Sequence, residues 1–211
     1  MVMNTKASRP WPGLFVVFEG IDGAGKTTQI QRLAEALPSY GLVPYITAEP
    51  SQGPYGKKLR EKSFTKRSDP ETELQLFLDD RRWHLEEEVK PALYRGEVVL
   101  QDRYYFSSMA YQGVLIRSPE EIRQLHLPFV IPPDLVFYLD LEPEIAIARI
   151  RSQRSSASQY EKLDYLKKVR AIFLKEVALF QRLDATQPPE ELTPKMLGQI
   201  LGCLRIKINP Q

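Results

Sequence analysis

The stretch "FVVFEGIDGAGKTTQ", residues 15–29, decides the fold. Four apolar residues, the signature of a strand buried on both faces, run straight into a loop carrying Gly20, Gly23 and Gly25. Lys26, Thr27 and Thr28 follow at once, at the start of the helical pattern "TTQIQRLAEAL". Gly20 to Thr27 satisfies G-x-x-x-x-G-K-[ST], in the strand–loop–helix context its mechanism requires. Glycines let the backbone turn its N–H groups inward as a nest for phosphate oxygens, and the helix N-terminus adds positive potential at the same point. Gly20, Ile21, Asp22, Gly23, Ala24, Gly25, Lys26, Thr27 and Thr28 are therefore expected to hold a nucleotide's phosphates. Lys26 reaches the outer phosphates and Thr27 is a candidate Mg²⁺ ligand.

Outward from this loop, further apolar runs alternate with helical patterns: "VPYITA" (43–48), "EVVLQD" (97–102), "DLVFYLD" (134–140) and, weakly, "LRIKI" (204–208). Alternation of this kind predicts an α/β fold with a parallel sheet, in a single domain over 14–211. Residues 1–13 read as a flexible tail without the apolar core of a secretory signal. The 211 residues carry a net charge of +2, which gives no bulk electrostatic argument for nucleic acid or an anionic membrane. No apolar run approaches the ~18 residues of a membrane span, and the lone Cys203 fits a reducing, cytoplasmic setting.

The loop alone is shared by switches, motors and small-molecule kinases. A guanine-specific switch would carry Asn-Lys-x-Asp, which is missing, and one compact domain argues against a motor. Three further stretches point to transfer onto a small acceptor. In "EVVLQDRYYFSSMAYQG" (97–113), the strand ends at Asp102, a second candidate metal ligand, with Arg103 following at the ligand-binding end of the sheet. In "ETELQLFLDDRRWHLEEEVKPAL" (71–93), Leu74, Leu78, Arg81, Leu85 and Val89 share one helical stripe, so Arg81 sits among apolar residues and needs a partner, with Phe77 one turn away. His84 reads as a partly exposed helix residue, and His126 has no cluster around it. The third stretch, "PEIAIARIRSQRSSASQYEKLDYLKKVRAIF" (143–173), holds two helical patterns joined by a small, polar segment with Arg151 and Arg154, expected as a mobile lid over about 150–161.

Together "FEGIDGAGKTTQ", "AEPSQGPYGKKLR", "LFLDDRRWH", "DRYYFSSMAYQG" and "YLDLEPEIAIARI" resemble the thymidylate kinases, within the nucleoside-monophosphate kinases, over about 14–175. The resemblance implies a P-loop kinase fold with five parallel strands, ATP with Mg²⁺ as donor, dTMP as acceptor and a homodimer. It also implies roles. Asp22 would contact the acceptor's 3′-hydroxyl and the metal region, Phe77 would stack on the thymine, and Arg81 would donate to thymine O4. Arg103 would hold the acceptor phosphate. Glu49, Ser108, Tyr111 and Gln112 would complete the acceptor side, and Arg149 would support ATP binding. Three departures stand out: Ala48 where many bacterial members have arginine, no Asp-Arg-aromatic-Glu run in the lid, and Gly23 where one branch has a phosphate-loop arginine. Lys57 or Arg60 could replace the first charge, and the catalytic guanidinium must come from the lid, Arg154 first and Arg151 second. Two alternatives stay open at this point: a related kinase for another pyrimidine nucleotide or nucleoside, and a weakly catalytic nucleotide-binding paralogue.

Overall fold

The structure is a computed structural model, and it describes residues 10–64, 69–151 and 159–208. Five parallel strands, β1 (Leu14–Glu19), β2 (Pro44–Ala48), β3 (Val98–Asp102), β4 (Leu135–Asp140) and β5 (Gln181–Asp184), form one sheet in the order β2-β3-β1-β4-β5. The three central strands are those whose apolar runs lack alternation, and they are almost wholly buried. Both edge strands are shorter on apolar residues and half exposed.

The helices are α1 (Lys26–Ala36), α2 (Pro54–Phe64), α3 (Pro70–His84), α4 (Lys90–Tyr94), α5 (Tyr105–Leu115), α6 (Pro119–His126), α7 (Pro143–Arg151), α8 (Gln159–Lys175) and α9 (Pro189–Ile208). One wide π turn, Leu85–Val89, joins α3 to α4. Across that junction Leu74, Leu78, Arg81, Leu85 and Val89 are all buried, as the stripe predicts. Tyr138 of β4 stacks on Phe173 of α8 on one side of the sheet, while α1 and α9 pair on the other.

One strand is corrected. The fifth is Gln181–Asp184, and 204–208 lies at the end of α9. "QRLD" carries a single apolar residue, so an edge strand of this length leaves no pattern, whereas Leu192, Met196 and Ile200 bury one face of α9 at helical spacing and Leu204 continues it. At the other end of the chain, Gly13 N–H donates to Leu93 O at 3.0 Å and Trp11 meets Tyr94 edge-on, so residues 11–13 pack on α4.

Parallel strands place their carboxyl ends on one side. Glu19, Ala48, Asp102 and Asp140 end four strands there, and the loops beyond them build the site.

Candidate functional site

Two adjoining clefts open on this edge beyond β1, β2 and β3. The larger, about 500 Å³, is walled by the phosphate loop, Ala48, Asp102, Arg149 and Ile150. Gly20, Gly23 and Gly25 have φ of 144°, 83° and 93°, and Gly25 is the left-handed cap that starts α1. At Gly23 a side chain would be strained twice, by its φ and by Ala146 O only 2.9 Å from a Cβ. The Gly23 departure is thus built into the loop's packing on α7.

Lys26 is buried with its ammonium curled back on the loop, donating to Gly20 O at 3.1 Å and Ile21 O at 3.3 Å. Burial, with Arg103 adding to it, pushes the ammonium down to about 8 against the pull of Asp102, Asp22 and Glu19. Thr27 Oγ1 donates to Asp102 Oδ2 at 3.1 Å. The other oxygen, Asp102 Oδ1, is buried without a hydrogen-bond partner, 3.9 Å from Lys26 Nζ. Mg²⁺ takes hard oxygen donors, keeps several waters, and needs only one or two protein ligands besides phosphates. A hydroxyl and an orphaned carboxylate oxygen beside the phosphate loop fit that ion. Arg149 donates to Gly23 O at 3.3 Å and Ala185 O at 3.0 Å, tying α7 to the loop and to the segment after β5.

The smaller cleft, about 230 Å³, is lined among others by Phe77, Arg81, Ser108, Tyr111, Gln112 and Tyr165. Asp22, Glu49 and Arg103 line both clefts. Arg103 Nη2 donates to Asp22 Oδ1 at 2.5 Å, so the boundary between clefts is one ion pair thick. Its guanidinium also lies 5.1 Å from the Tyr111 ring centre. Arg103 takes this place through a left-handed backbone, φ 71°, the sole non-glycine of that kind among the described residues. The turn is held at both ends, by Arg103 N–H to Phe18 O at 2.9 Å and by Gln101 Nε2 to Arg103 O at 2.9 Å.

The partner that Arg81 requires is Glu49. Arg81 is 1% exposed, and its Nε and Nη2 lie 2.7 and 2.5 Å from Glu49 Oε2. Its Nη1 donates to Ser108 Oγ at 3.2 Å and faces the His126 ring nitrogens at 3.0 and 3.1 Å. The guanidinium plane is therefore fixed from three elements before any ligand arrives. Asp80, the neighbouring carboxylate, is engaged elsewhere, accepting from Ser51 N and Oγ at 2.8 and 2.6 Å and holding the loop after β2.

One histidine reading is corrected. His84 is fully buried. Its Nδ1 meets Glu49 Oε1 at 3.2 Å and its Nε2 meets Thr47 Oγ1 at 2.6 Å, with Glu88 at 3.5 Å. Burial opposes its charge, but the hydrogen bonds to Glu49 and Glu88 push it up to about 9. His126, also 0% exposed, is pushed down to about 2 by burial and by Arg81 and Arg82, so it stays neutral and accepts from Arg81. The stripe argument reached Arg81 but not these partners, because His84 is off the stripe and His126 is 45 residues from Arg81 in the chain.

Of the two stand-ins for the missing arginine at 48, Arg60 donates to Pro50 O at 2.9 Å and Gln52 Oε1 at 3.1 Å, and neither it nor Lys57 lines these clefts. Arg154, most of the lid and the Arg151 side chain lie outside the described residues. Tyr165 of α8 was not anticipated. It lines the smaller cleft with its hydroxyl donating to Tyr111 O at 3.0 Å, and nothing in "EKLDYLKK" marks it out from a surface tyrosine.

A glycine phosphate loop beside a second, base-sized cleft, with one arginine between them, defines a P-loop phosphotransferase of the nucleotide kinase class. Residues 18–196 match the family model described as thymidylate kinase. The chain is 42% identical over 197 residues to a "Probable thymidylate kinase" of Archaeoglobus fulgidus, covering 93% of this chain and 99% of that protein. It is 40% identical to a "Probable thymidylate kinase" of Pyrobaculum aerophilum (92% and 99% covered) and 38% identical to a "Thymidylate kinase" of Brachyspira hyodysenteriae (89% and 93%). The chain belongs to the thymidylate kinase family.

Proposed function

We propose that this enzyme carries out the reaction of its family, ATP-dependent phosphorylation of dTMP to dTDP, with ATP in the larger cleft and dTMP in the smaller. The observation that carries this reading is the shared wall: Arg103 and Asp22, paired with each other, line both clefts, where a phosphoryl group would pass between them. Lys26 and the loop amides hold the outer phosphates of ATP. Thr27 and Asp102 are the residues that would hold Mg²⁺, which supplies charge neutralisation across the phosphates when bound. With its Nη1 held by Ser107 Oγ, Arg103 exchanges the Nη2 bond to Asp22 for the acceptor phosphate, which suits its planar fork, and Asp22 is left to receive the sugar 3′-hydroxyl. Phe77 stacks on the base. Tyr111 crowds the sugar, and Ser108, Gln112 and Glu49 complete the pocket.

Arg81 reads the base. Locked by Glu49, Ser108 and His126, it cannot turn to suit a different ligand. A carbonyl at C4 accepts from it, whereas the amino group of a cytosine would leave two donors facing each other in a buried site. The acceptor phosphate is already anionic and nucleophilic, so no dedicated general base is needed. A guanidinium from the lid, Arg154 first and Arg151 second, spreads the developing charge. Assembly as a cytoplasmic homodimer belongs to the same reading; no helix among the described residues is long and apolar enough to cross a membrane.

The test is ADP release with dTMP, dUMP, dCMP and dGMP offered separately. The expected result is a preference for dTMP over dCMP of at least ~10²-fold in kcat/KM. Equal rates with dCMP would remove Arg81 from the specificity argument, and product from none of them would remove the transfer reaction itself.

A further inference from the structure

Glu19 is the last residue of β1 and the one charged residue in it, 0% exposed at the root of the phosphate loop. Its Oε1 accepts from Tyr104 N at 2.8 Å and Ser107 N at 3.2 Å. These are the cap and third positions of α5, whose own cap residue, Tyr104, supplies no side-chain bond. A carboxylate from the central strand thus does the capping that a local Ser or Asp would do, and the helix dipole favours its charge. Its Oε2 accepts from Ser107 Oγ at 2.6 Å, and the same hydroxyl accepts from Arg103 Nη1 at 2.9 Å. One chain of hydrogen bonds runs Arg103 to Ser107 to Glu19. It lies beneath a residue whose left-handed backbone costs roughly 1–2 kcal/mol and persists only if its surroundings over-determine it.

We propose that Glu19 is a positioning residue for the acceptor: through Ser107 and the cap of α5 it fixes the Arg103 guanidinium at the boundary between the clefts. This rests on the reading that Arg103 holds the acceptor phosphate. Burial pushes the Glu19 carboxyl up to about 7, against Ser107, Arg103, the Tyr104 amide and Lys26. The neighbouring Ser108 serves Arg81 instead, so the adjacent hydroxyls of "SS" are divided between the two arginines.

Glu19→Gln keeps the cap oxygen but replaces the acceptor of Ser107 with a donor. Ser107→Ala keeps both amide bonds and removes the hydroxyl that joins Glu19 Oε2 to Arg103 Nη1. In the full chain, KM for dTMP and for ATP are measured separately, with calorimetric titration of dTMP and a circular dichroism melt of each variant. The expected result is a rise of about 10-fold or more in KM and Kd for dTMP in both variants, with KM for ATP within about twofold. The double variant should be little worse than the worse single one, since both cut one chain. An unchanged dTMP affinity in folded Ser107→Ala, or an equal rise in KM for both substrates, overturns the proposal; should Glu19→Gln fail to fold, Ser107→Ala decides it. Arg103→Ala separates the two levels. If it leaves dTMP binding intact, the reading of Arg103 fails and this inference with it. If it weakens dTMP binding while Ser107→Ala does not, the positioning chain alone is wrong.

Discussion

Glu49→Gln is the substitution that most sharply tests how the base pocket is held. Glu49 and Arg81 are a buried pair, with side chains 3% and 2% exposed. Stranding one member of such a pair costs roughly 3–5 kcal/mol, because the remaining charge has neither water nor counter-charge. Glutamine keeps one oxygen for Arg81 Nε, which puts the expected loss at the low end, about 3 kcal/mol, or on the order of 10²-fold in the folding equilibrium. The new amide would face His84 Nδ1 and Gln101 Nε2, which now lie 3.2 and 3.1 Å from Glu49 Oε1. His84 can give up its proton and accept from the new amide, while Gln101 Nε2 stays committed to Arg103 O at 2.9 Å. Hydrogen bonding recovers in part, but Arg81 is left without its counter-charge. Urea unfolding at pH 7 measures the loss. The double variant Glu49→Gln with Arg81→Met, in which no charge is stranded, should recover most of it. A loss below about 1 kcal/mol, or a double variant weaker than the single, would refute the view that Glu49 neutralises Arg81.

Three further outcomes are expected. The chain has two histidines, one held up at about 9 and one down at about 2, so proton-detected imidazole resonances of the folded protein should not titrate between pH 5 and 8; a midpoint near 6.5 for either would contradict its placement. His126 is depressed in the fold, so its contribution to stability is present above pH 6.5 and lost as the pH falls. By pH 4.5 this amounts to roughly 3 kcal/mol, which chemical denaturation of His126→Asn against the parent would show as a flatter acid limb. Lys26→Ala should abolish measurable transfer while leaving the thermal transition in place, and near-normal turnover in that variant would unseat the phosphate-loop assignment.

What the sequence made legible follows from range. The loop and its flanking strand and helix lie within one contiguous stretch, Leu14 to Ala36, so motif, periodicity and context could be checked against one another. The helical stripe identified Arg81 as buried and in need of a partner, because a 3.6-residue period reports burial directly. Its partner could not be read that way. Glu49 is 32 residues distant and His126 is 45, and only the stacking of β2, α3 and α6 brings them together. His84 was misjudged for a related reason: it lies off the apolar stripe but is covered by Thr47 of β2 and by Glu49 just beyond that strand. Glu19 did leave a local trace, a lone carboxylate closing a wholly apolar strand, yet its role depends on α5 arriving at the same point. The fifth strand was invisible because an edge strand of four residues needs almost no apolar content.

The boundary between the clefts is the feature with the widest reach. Since Asp22, Glu49 and Arg103 face both compartments, a larger or smaller side chain at any of the three reshapes donor and acceptor space together. Selection on acceptor range must then act deeper in the small pocket, at Phe77, Ser108, Gln112 or Tyr165, and selection on the donor out towards Arg149. A single molecule with a short polyanionic bridge across the ion pair would meet both compartments at once, and escape from it by substitution at that bridge would disable the enzyme's own turnover.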